Sequence, residues 1–340
     1  MARPLSIVTA VLFIVISLSV PSLSVAGNTH ELLENPEVRQ FVRKMAKQHD
    51  YPRDQLVALL EKVRIVSRLL KPSKPAEALP WHRYRSIFVT GRRIRAGVRF
   101  WQTHHDILAR AEEIHGVPSE IIVAILGVET HFGRQKGKYP VLNSLVTLAF
   151  YGKRRREFFL RELEQFLLLV REEEGIDAHE LMGSYAGAMG LPQFISSSYR
   201  RYAVDFDGDD RRDLIGNMSD AIGSAANFLA VHGWHRDGGI TMPAKSTDKA
   251  RSRELAKKGY KPHIVFSALG DHGVTIDGRI PDDEQVSLIE LTAETGSEYW
   301  VGRNNFYIIT RYNHSKLYAM AVYQLAEAIR KRYSRSNEAS

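Results

Sequence analysis

One carboxylate in the chain stands where a carboxylate is costly. Ile121 to Val128 is a run of eight residues without a charge, and Glu129 follows it directly. Pro118 and Ser119 can begin a helix there, with Ser119 as the cap and Glu120 in the positive first turn. A helix apolar nearly all round is a core helix, and this run is too short to cross a bilayer. Glu129 comes three and four residues after Leu126 and Ile125, so it shares their side of the helix. Desolvation by that wall and the negative end of the helix dipole both favour the protonated carboxyl. A carboxyl that stays neutral near pH 7 is what a general acid needs. The alternative is a surface glutamate at a fraying helix end.

Three further clusters carry chemistry-bearing groups. Ser184-Tyr185-Ala186-Gly187-Ala188-Met189-Gly190-Leu191-Pro192-Gln193-Phe194 is dense in small residues. Its glycines allow tight turns and close approach of a ligand to backbone. Ser184 and Gln193 offer hydrogen bonds and Phe194 a flat apolar face, a mixture that suits a sugar. A plain helix–helix corner is the competing reading. Asp205, Asp207, Asp209 and Asp213 then stand at positions 1, 3, 5 and 9 of an acidic loop, with the Arg211 carbonyl at 7. That spacing resembles a calcium loop, but glycine is not at position 6, position 12 is Gly216, and the first acid beyond is Asp220. A solvated acidic turn is the alternative. Finally, Tyr312-Asn313-His314-Ser315 and Tyr318 bring aromatic and amide groups to the start of the last helical pattern. His131, beside Glu129, reads as packing rather than as a metal ligand. No H-E-x-x-H, Gly-x-Ser-x-Gly, Walker loop or Gly-x-Gly-x-x-Gly occurs.

The elements that must position these groups are mostly helical. Asn28 to about Leu70 has helical spacing (Val38, Phe41, Val42, Met45) and is broken by Pro72 and Pro75. Helical patterns return at His104–His115, Pro140–Tyr151, Glu157–Glu174, Ser219–His232 and His314–Tyr333. The basic run Lys153 to Arg156 reads as a solvated face. Between Asp237 and about Tyr299, Gly, Pro, Lys and Asp become frequent and apolar residues alternate, as at Val274 and Ile276. This is the one stretch that reads as strands, a small inserted sheet lobe. Residues 334–340 read as a polar tail.

Arg3, the apolar run Leu5 to Val20 and Ser24-Val25-Ala26 form a secretory signal with its cut after Ala26. An uncleaved anchor is the alternative. The chain has no cysteine. Disulfides and a lipid on an N-terminal cysteine are therefore excluded, and the chain's own core must stabilise it. With 44% hydrophobic residues and about 310 residues after the cut, that core is within reach. The net charge of +8 suits an anionic polymer such as cell wall, membrane surface or nucleic acid.

Gly127-Val128-Glu129-Thr130, Gly183 to Gly190, Val204-Asp205-Phe206-x-Gly208-Asp209 and Thr310-Arg311-Tyr312-Asn313-His314-Ser315 occur in this order. In these motifs, and over roughly Trp81 to Ala328, the chain resembles the lytic murein transglycosylase B family. The resemblance implies a mainly α (α+β) fold. A lysozyme-like catalytic core would join an N-terminal helical lobe and a small inserted β-containing lobe. It implies Glu129 as the single catalytic acid and Tyr84, Ser184, Gln193, Tyr312, Asn313 and Tyr318 as glycan-cleft residues. Phe228 stands where a tyrosine is usual, and Leu191-Pro192 replaces a more usual Tyr-Gly. Asp205, Asp207, Asp209, Arg211 and Asp220 match an EF-hand-like cation site for a structural calcium, with the spacing to Asp220 one residue longer.

The expected organisation is a signal over 1–26 and a helical lobe over 27–110. The catalytic core spans 111–235 and carries the loop 205–220. The sheet lobe spans 236–300, and a C-terminal cleft segment and helix 301–340. The expected activity is non-hydrolytic cleavage of the MurNAc-β-1,4-GlcNAc bond of peptidoglycan in the periplasm, leaving 1,6-anhydro-MurNAc ends. The expected protein is a monomer that needs no catalytic cofactor. It binds glycan strands and not nucleic acid, with enzymes of wall synthesis or hydrolysis as candidate partners. Two rivals are a hydrolytic muramidase and a catalytically inactive wall-binding scaffold.

Overall fold

The computed structural model describes residues 29–72 and 75–338. The export signal read over 1–26 lies outside them. The chain opens with α1 (Thr29–Glu34) and α2 (Pro36–His49), separated by Asn35. Asn35 Oδ1 accepts the Glu37 N–H at 2.9 Å, and Pro36 takes the first helical position, where no N–H is needed. After α3 (Arg53–Glu61) come α4 (Trp81–Phe88), α5 (Gly91–Thr103), α6 (His105–His115) and α7 (Ser119–Thr130). Thr90 caps α5, its Oγ1 accepting the Arg93 N–H at 3.2 Å. Gly116, at φ 70°, ends α6 in the left-handed region, and its N–H bonds to Glu112 O at 2.8 Å. The short strands β1 (Tyr139–Pro140) and β2 (Met182–Gly183) bracket α8 (Val141–Phe150) and α9 (Arg156–Glu172). Then follow α10 (Ser196–Tyr202), α11 (Met218–Val231), β3 (Thr241–Ser246), α12 (Lys249–Lys257), β4 (Ile264–Val265), β5 (Val274–Ile276), β6 (Gln285–Thr292) and β7 (Ser297–Gly302). The helices α13 (Asn304–Tyr312) and α14 (Lys316–Glu338) close the chain.

The described residues divide into two compact units, one of residues 29–72 and 133–221, the other of 75–132 and 222–338. In the first, α8 packs along α9, and α9 on α10. Leu145, Leu163, Phe166 and Leu167 are buried in that core. Glu162 reaches from α9 to the first turn of α10, where its carboxylate accepts the Ser197 N–H at 3.0 Å and the Ser197 hydroxyl at 2.7 Å. It thus does the work of the side-chain cap that Ile195 cannot supply. β1 and β2 pair antiparallel, Tyr139 opposite Gly183.

In the second unit, α7 is buried at every position except Glu120 and packs against α14, α5 and α6. Close approach of α5 to α14 requires Gly97, where a Cβ would fall 2.4 Å from Ile329 Cδ1. The same unit holds a five-stranded sheet in the order β4-β6-β7-β3-β5, every pair antiparallel. One face of it, with Val286, Leu288, Tyr299 and Val301, shares a core with Leu255 of α12 and with Leu269 and Ile280.

The mainly helical reading and the strand-rich stretch agree with this architecture, and four local expectations are corrected. Ser119 does not cap α7: Pro118 holds the cap position, and the Ser119 N–H and hydroxyl both donate to Glu112 Oε2, at 2.9 and 2.7 Å. The β1–β2 pair lies outside the strand-rich stretch. Asn304–Tyr312 is a helix of its own. The polar residues 334–338 continue α14.

Candidate active site

Glu129 sits in the last turn of α7, which ends where His131 turns left-handed at φ 52° and sends its N–H back to Leu126 O. The glutamate is 8% exposed. Its Oε1 accepts the Tyr318 hydroxyl at 2.6 Å, and its buried Oε2 has no hydrogen-bond partner. Burial is the largest influence on this carboxyl and pushes its pKa up to about 8; the Tyr318 hydrogen bond opposes the rise, and the nearby charge of Glu77 adds to it. The neutral acid therefore carries its proton on Oε2, since Oε1 is the acceptor.

Tyr318 is itself fully buried near the start of α14, whose first turn is tied by Ser315 Oγ accepting the Leu317 and Tyr318 N–H groups at 3.2 and 3.4 Å. Burial and the neighbouring Glu129 carboxyl hold the Tyr318 hydroxyl well above the usual tyrosine range, so it stays a donor. Its ring stacks with Tyr312 at 6.4 Å and 11°. Tyr312 meets Phe228 at 4.9 Å, and Phe228 stacks on His232 at 4.1 Å. Tyr84 lies buried between Trp81 and Phe88, its hydroxyl pKa raised by burial and then by Glu77 and Glu129. Within this unit the fold thus gathers Glu129, Tyr84, Phe228, Tyr312 and Tyr318 into one set of ring and hydroxyl contacts. His131 Nδ1 accepts from Arg93 Nε at 3.2 Å, in keeping with a packing role.

One residue of this cluster was not anticipated. Glu77 lies in the short 3-10 turn Ala76–Ala78, and its Oε1 faces the side-chain amide of buried Asn313 at 3.5 Å. Its Oε2 is buried without a partner. The surrounding stretch, with Pro72, Pro75 and Pro80, carries breaker signals and no periodicity, so only the acid itself could have flagged it.

In the first unit, Ser184 Oγ accepts the Ala186 and Ala188 N–H groups at 3.3 and 3.0 Å, which leaves its O–H to donate. The segment folds back on itself through Ser184 N–H to Ala188 O at 2.7 Å and through mutual Met189–Phe194 bonds at 2.9 and 3.1 Å. Gly190 makes the turn, at φ +72°, where a Cβ would fall 2.4 Å from Leu214 O. Gln193 is also left-handed, at φ 51°, and its Nε2 donates to Gly190 O at 2.9 Å and Lys136 O at 3.2 Å. Phe194, whose backbone bonds with Met189, is 2% exposed.

The acidic loop brings carboxylate oxygens of Asp205, Asp207 and Asp209 within 4.8 Å of one another. Two oxygens on one calcium, each at about 2.3–2.6 Å from it, stand at most about 5 Å apart, so the three fit such an ion. Asp205 also folds the loop, accepting the Gly208, Asp209 and Asp210 N–H groups. Asp220 is used differently from the other three. It is fully buried, and its two oxygens accept the Phe206 and Asp213 N–H groups, both at 2.7 Å, bracing the loop from the first turn of α11. The Arg211 N–H donates to Asp209 Oδ1 at 3.0 Å.

A lysozyme-like, mainly helical enzyme fold with the buried, proton-retaining carboxyl of Glu129 defines the class. The transglycosylase SLT domain model matches residues 34–327, and the chain belongs to that family. It is 41% identical over 312 residues to the membrane-bound lytic murein transglycosylase B of Escherichia coli K12, covering 88% of this chain and 84% of that protein. Its structure resembles that of the soluble lytic transglycosylase SltB1 from Pseudomonas aeruginosa, with TM-score 0.82, 42% identity, and coverage of 88% of this chain and 100% of that one. It also resembles the Escherichia coli lytic transglycosylase Slt35 in complex with calcium, with TM-score 0.78, 40% identity, and coverage of 88% and 94%.

Proposed function

We propose that this protein is a lytic transglycosylase that cleaves the MurNAc-β-1,4-GlcNAc bond of peptidoglycan, with Glu129 as acid and then base. The observation that carries the reading is the Glu129 carboxyl itself, buried, held by Tyr318 through one oxygen and protonated near neutrality on the other. Oε2 gives its proton to the glycosidic oxygen as the C1–O bond breaks. The carbonyl oxygen of the substrate's own 2-acetamido group closes on C1 as an oxazolinium. Ionised Glu129 then takes the proton of the C6 hydroxyl, whose oxygen attacks C1 and displaces the acetamido oxygen. The product is the 1,6-anhydro ring, and Glu129 ends as it began. No water enters, in contrast to glycosidases that use one carboxyl for acid and a second for water or a covalent bond.

The proposal extends to Tyr84, Phe228, Tyr312, Asn313 and Tyr318, and to Ser184 and Gln193, as contacts to the glycan. Phe228 can stack but offers no hydroxyl. Asp205, Asp207 and Asp209 would hold a calcium ion, with Asp220 bracing their loop; the ion would supply structural charge balance and no catalytic step. The relative solved with calcium supports that reading. The compartment proposed is the periplasm. Among the described residues no helix is long and apolar enough to cross a membrane.

The deciding experiment is mass spectrometry of muropeptides released from purified sacculi. Anhydro ends, lighter by one water than reducing ends, are expected. Reducing ends alone would make the protein a hydrolytic muramidase, and no release at all a wall-binding scaffold.

A further inference from the structure

Three buried polar atoms of the second unit lack a hydrogen-bond partner and interact electrostatically with one another: Glu129 Oε2, the Tyr84 hydroxyl and Glu77 Oε2. Only the first belongs to the acid just described. Tyr84 lies close enough to both carboxyls to feel their charge, and its hydroxyl, though outside ordinary hydrogen-bond geometry, acts on the Glu77 carboxyl as a donor. Glu77 Oε1 meets the amide of Asn313, the residue that links α13 to α14 and so to Tyr318. The chain thus places a second carboxyl near the first, bonded to Asn313 and sharing Tyr84 as a neighbour with Glu129.

We propose that Glu77 is a positioning residue for the Glu129 reaction, its carboxylate fixing Asn313 and Tyr84 and setting the charge that Glu129 faces when it gives and regains its proton. This rests on Glu129 being the acid. The groups facing Glu129 are few: Tyr318 of α14, Tyr312 of α13, Tyr84 of α4, and Glu77. The three tyrosines stay neutral. From the other elements packed on α7, Arg93 of α5 bonds to His131 and to Ile87 O, and Glu112 of α6 bonds to Ser119. Among the described residues Glu77 is the other carboxyl that acts on Glu129; burial raises its own pKa as well, and two like charges this close disfavour joint ionisation. With Glu77 ionised, Glu129 keeps its proton for the first half of the reaction and is a stronger base in the second.

The test compares kcat/KM against pH for the wild type, Glu77→Gln, Glu77→Asp and Glu129→Gln, with anhydro-muropeptide release as the readout. The alkaline limb reports loss of the Glu129 proton in the free enzyme. Glu77→Gln removes a charge that favours that proton, so the limb should move to lower pH by about half a unit or more. Glu77→Asp keeps the charge and should restore the limb toward its wild-type position. A uniform loss of rate in Glu77→Gln with the limb unmoved would make Glu77 merely structural and overturn the inference. Substantial turnover by Glu129→Gln would overturn the underlying assignment instead, so the two failures are distinct.

If Glu77→Gln does not fold, the wild type answers the question. In protein labelled with carbon-13 at glutamate carboxyls, the Glu129 resonance is assigned by its loss in Glu129→Gln. It should titrate in two steps, one following Glu77. A single step would refute the coupling.

Discussion

The Tyr318 hydroxyl donates to Glu129 Oε1 at 2.6 Å, joining residues 189 positions apart. A hydrogen bond to a carboxyl favours its charged form, so this contact holds the Glu129 pKa below where burial alone would put it. Tyr318→Phe keeps the ring beside Tyr312 and removes only the donor. The Glu129 pKa should then rise further, and the alkaline limb of kcat/KM should move to higher pH, opposite to the shift expected for Glu77→Gln. The unpartnered Oε1 should also cost about tenfold in rate or more, since bonds to charged groups are worth about 1.5–3 kcal/mol. A limb that stayed put would show that the bond does not govern the acid.

Glu129→Gln keeps shape and can still accept from Tyr318, but it neither gives nor takes the proton. Transfer by one positioned group is worth on the order of 10² to 10⁴ in rate, and here the same group acts twice. Near-complete loss of anhydro-muropeptide release is expected, with glycan retained in a sacculus pull-down. Loss of binding together with turnover would point to a folding defect rather than to chemistry.

The parts legible in the sequence were those where one local pattern decides the structure. The uncharged run before Glu129 can only be buried, and all eight residues of it are. The alternating stretch after Asp237 gives the five-stranded sheet. What stayed hidden depends on contacts between distant residues. Glu77 has no periodic setting and becomes part of the cluster only through Asn313, 236 positions away. The helix α13 starts with two asparagines and no side-chain cap, so its first turn carries no start signal. β1 and β2 are two residues each and exist through their mutual pairing. Phe194 reads as a flat apolar face in a glycine-rich segment, and how deeply it is buried is set by the fold around it. Asp220 matches the cation loop by resemblance despite a spacing one residue longer, and what the sequence does not show is that its two oxygens accept loop N–H groups.

Gly190→Ala tests the turn that carries Ser184 and Gln193. The position is left-handed, and the added Cβ would fall 2.4 Å from the carbonyl oxygen of Leu214, a backbone atom that cannot rotate away. Leu191 N–H also bonds to that oxygen at 2.9 Å, so relief by movement would break the bond. Urea unfolding should show a loss of about 2 kcal/mol or more, the sum of strain and overpacking. An unchanged midpoint would mean that the segment has room the structure does not show.

For the acidic loop, calcium that binds only the native state should stabilise by mass action, about 2.7 kcal/mol at a hundredfold excess over Kd. Melting of metal-stripped protein should therefore shift upward on adding calcium. Asp207→Asn leaves the Asp205 and Asp220 braces intact and should abolish most of that shift. If saturating calcium leaves the wild-type melting temperature unchanged, the three carboxylates form a solvated turn and no ion is held there.

The same burial that suits Glu129 to its chemistry should make it costly to the fold at high pH. Its pKa is about 8 in the native state against 4.5 for the free group, so the native state favours the protonated form. Below pH ~4.5 the carboxyl is neutral whether folded or unfolded, and no charge must be buried. As pH rises through the window, the unfolded chain releases the proton and the folded one retains it, so stability falls with pH. Above ~8 the folded state carries the buried charge and the loss is complete. Each pH unit across the window is worth about 1.4 kcal/mol, so the full cost is about 3–5 kcal/mol. Glu129→Gln has no charge to bury. It should match the wild type in urea unfolding at pH 4 and exceed it increasingly up to pH 8, with the gap constant beyond. A gap independent of pH would mean that the substitution acts through packing. A wild type more stable than the variant at pH 8 would show that the carboxylate is solvated after all.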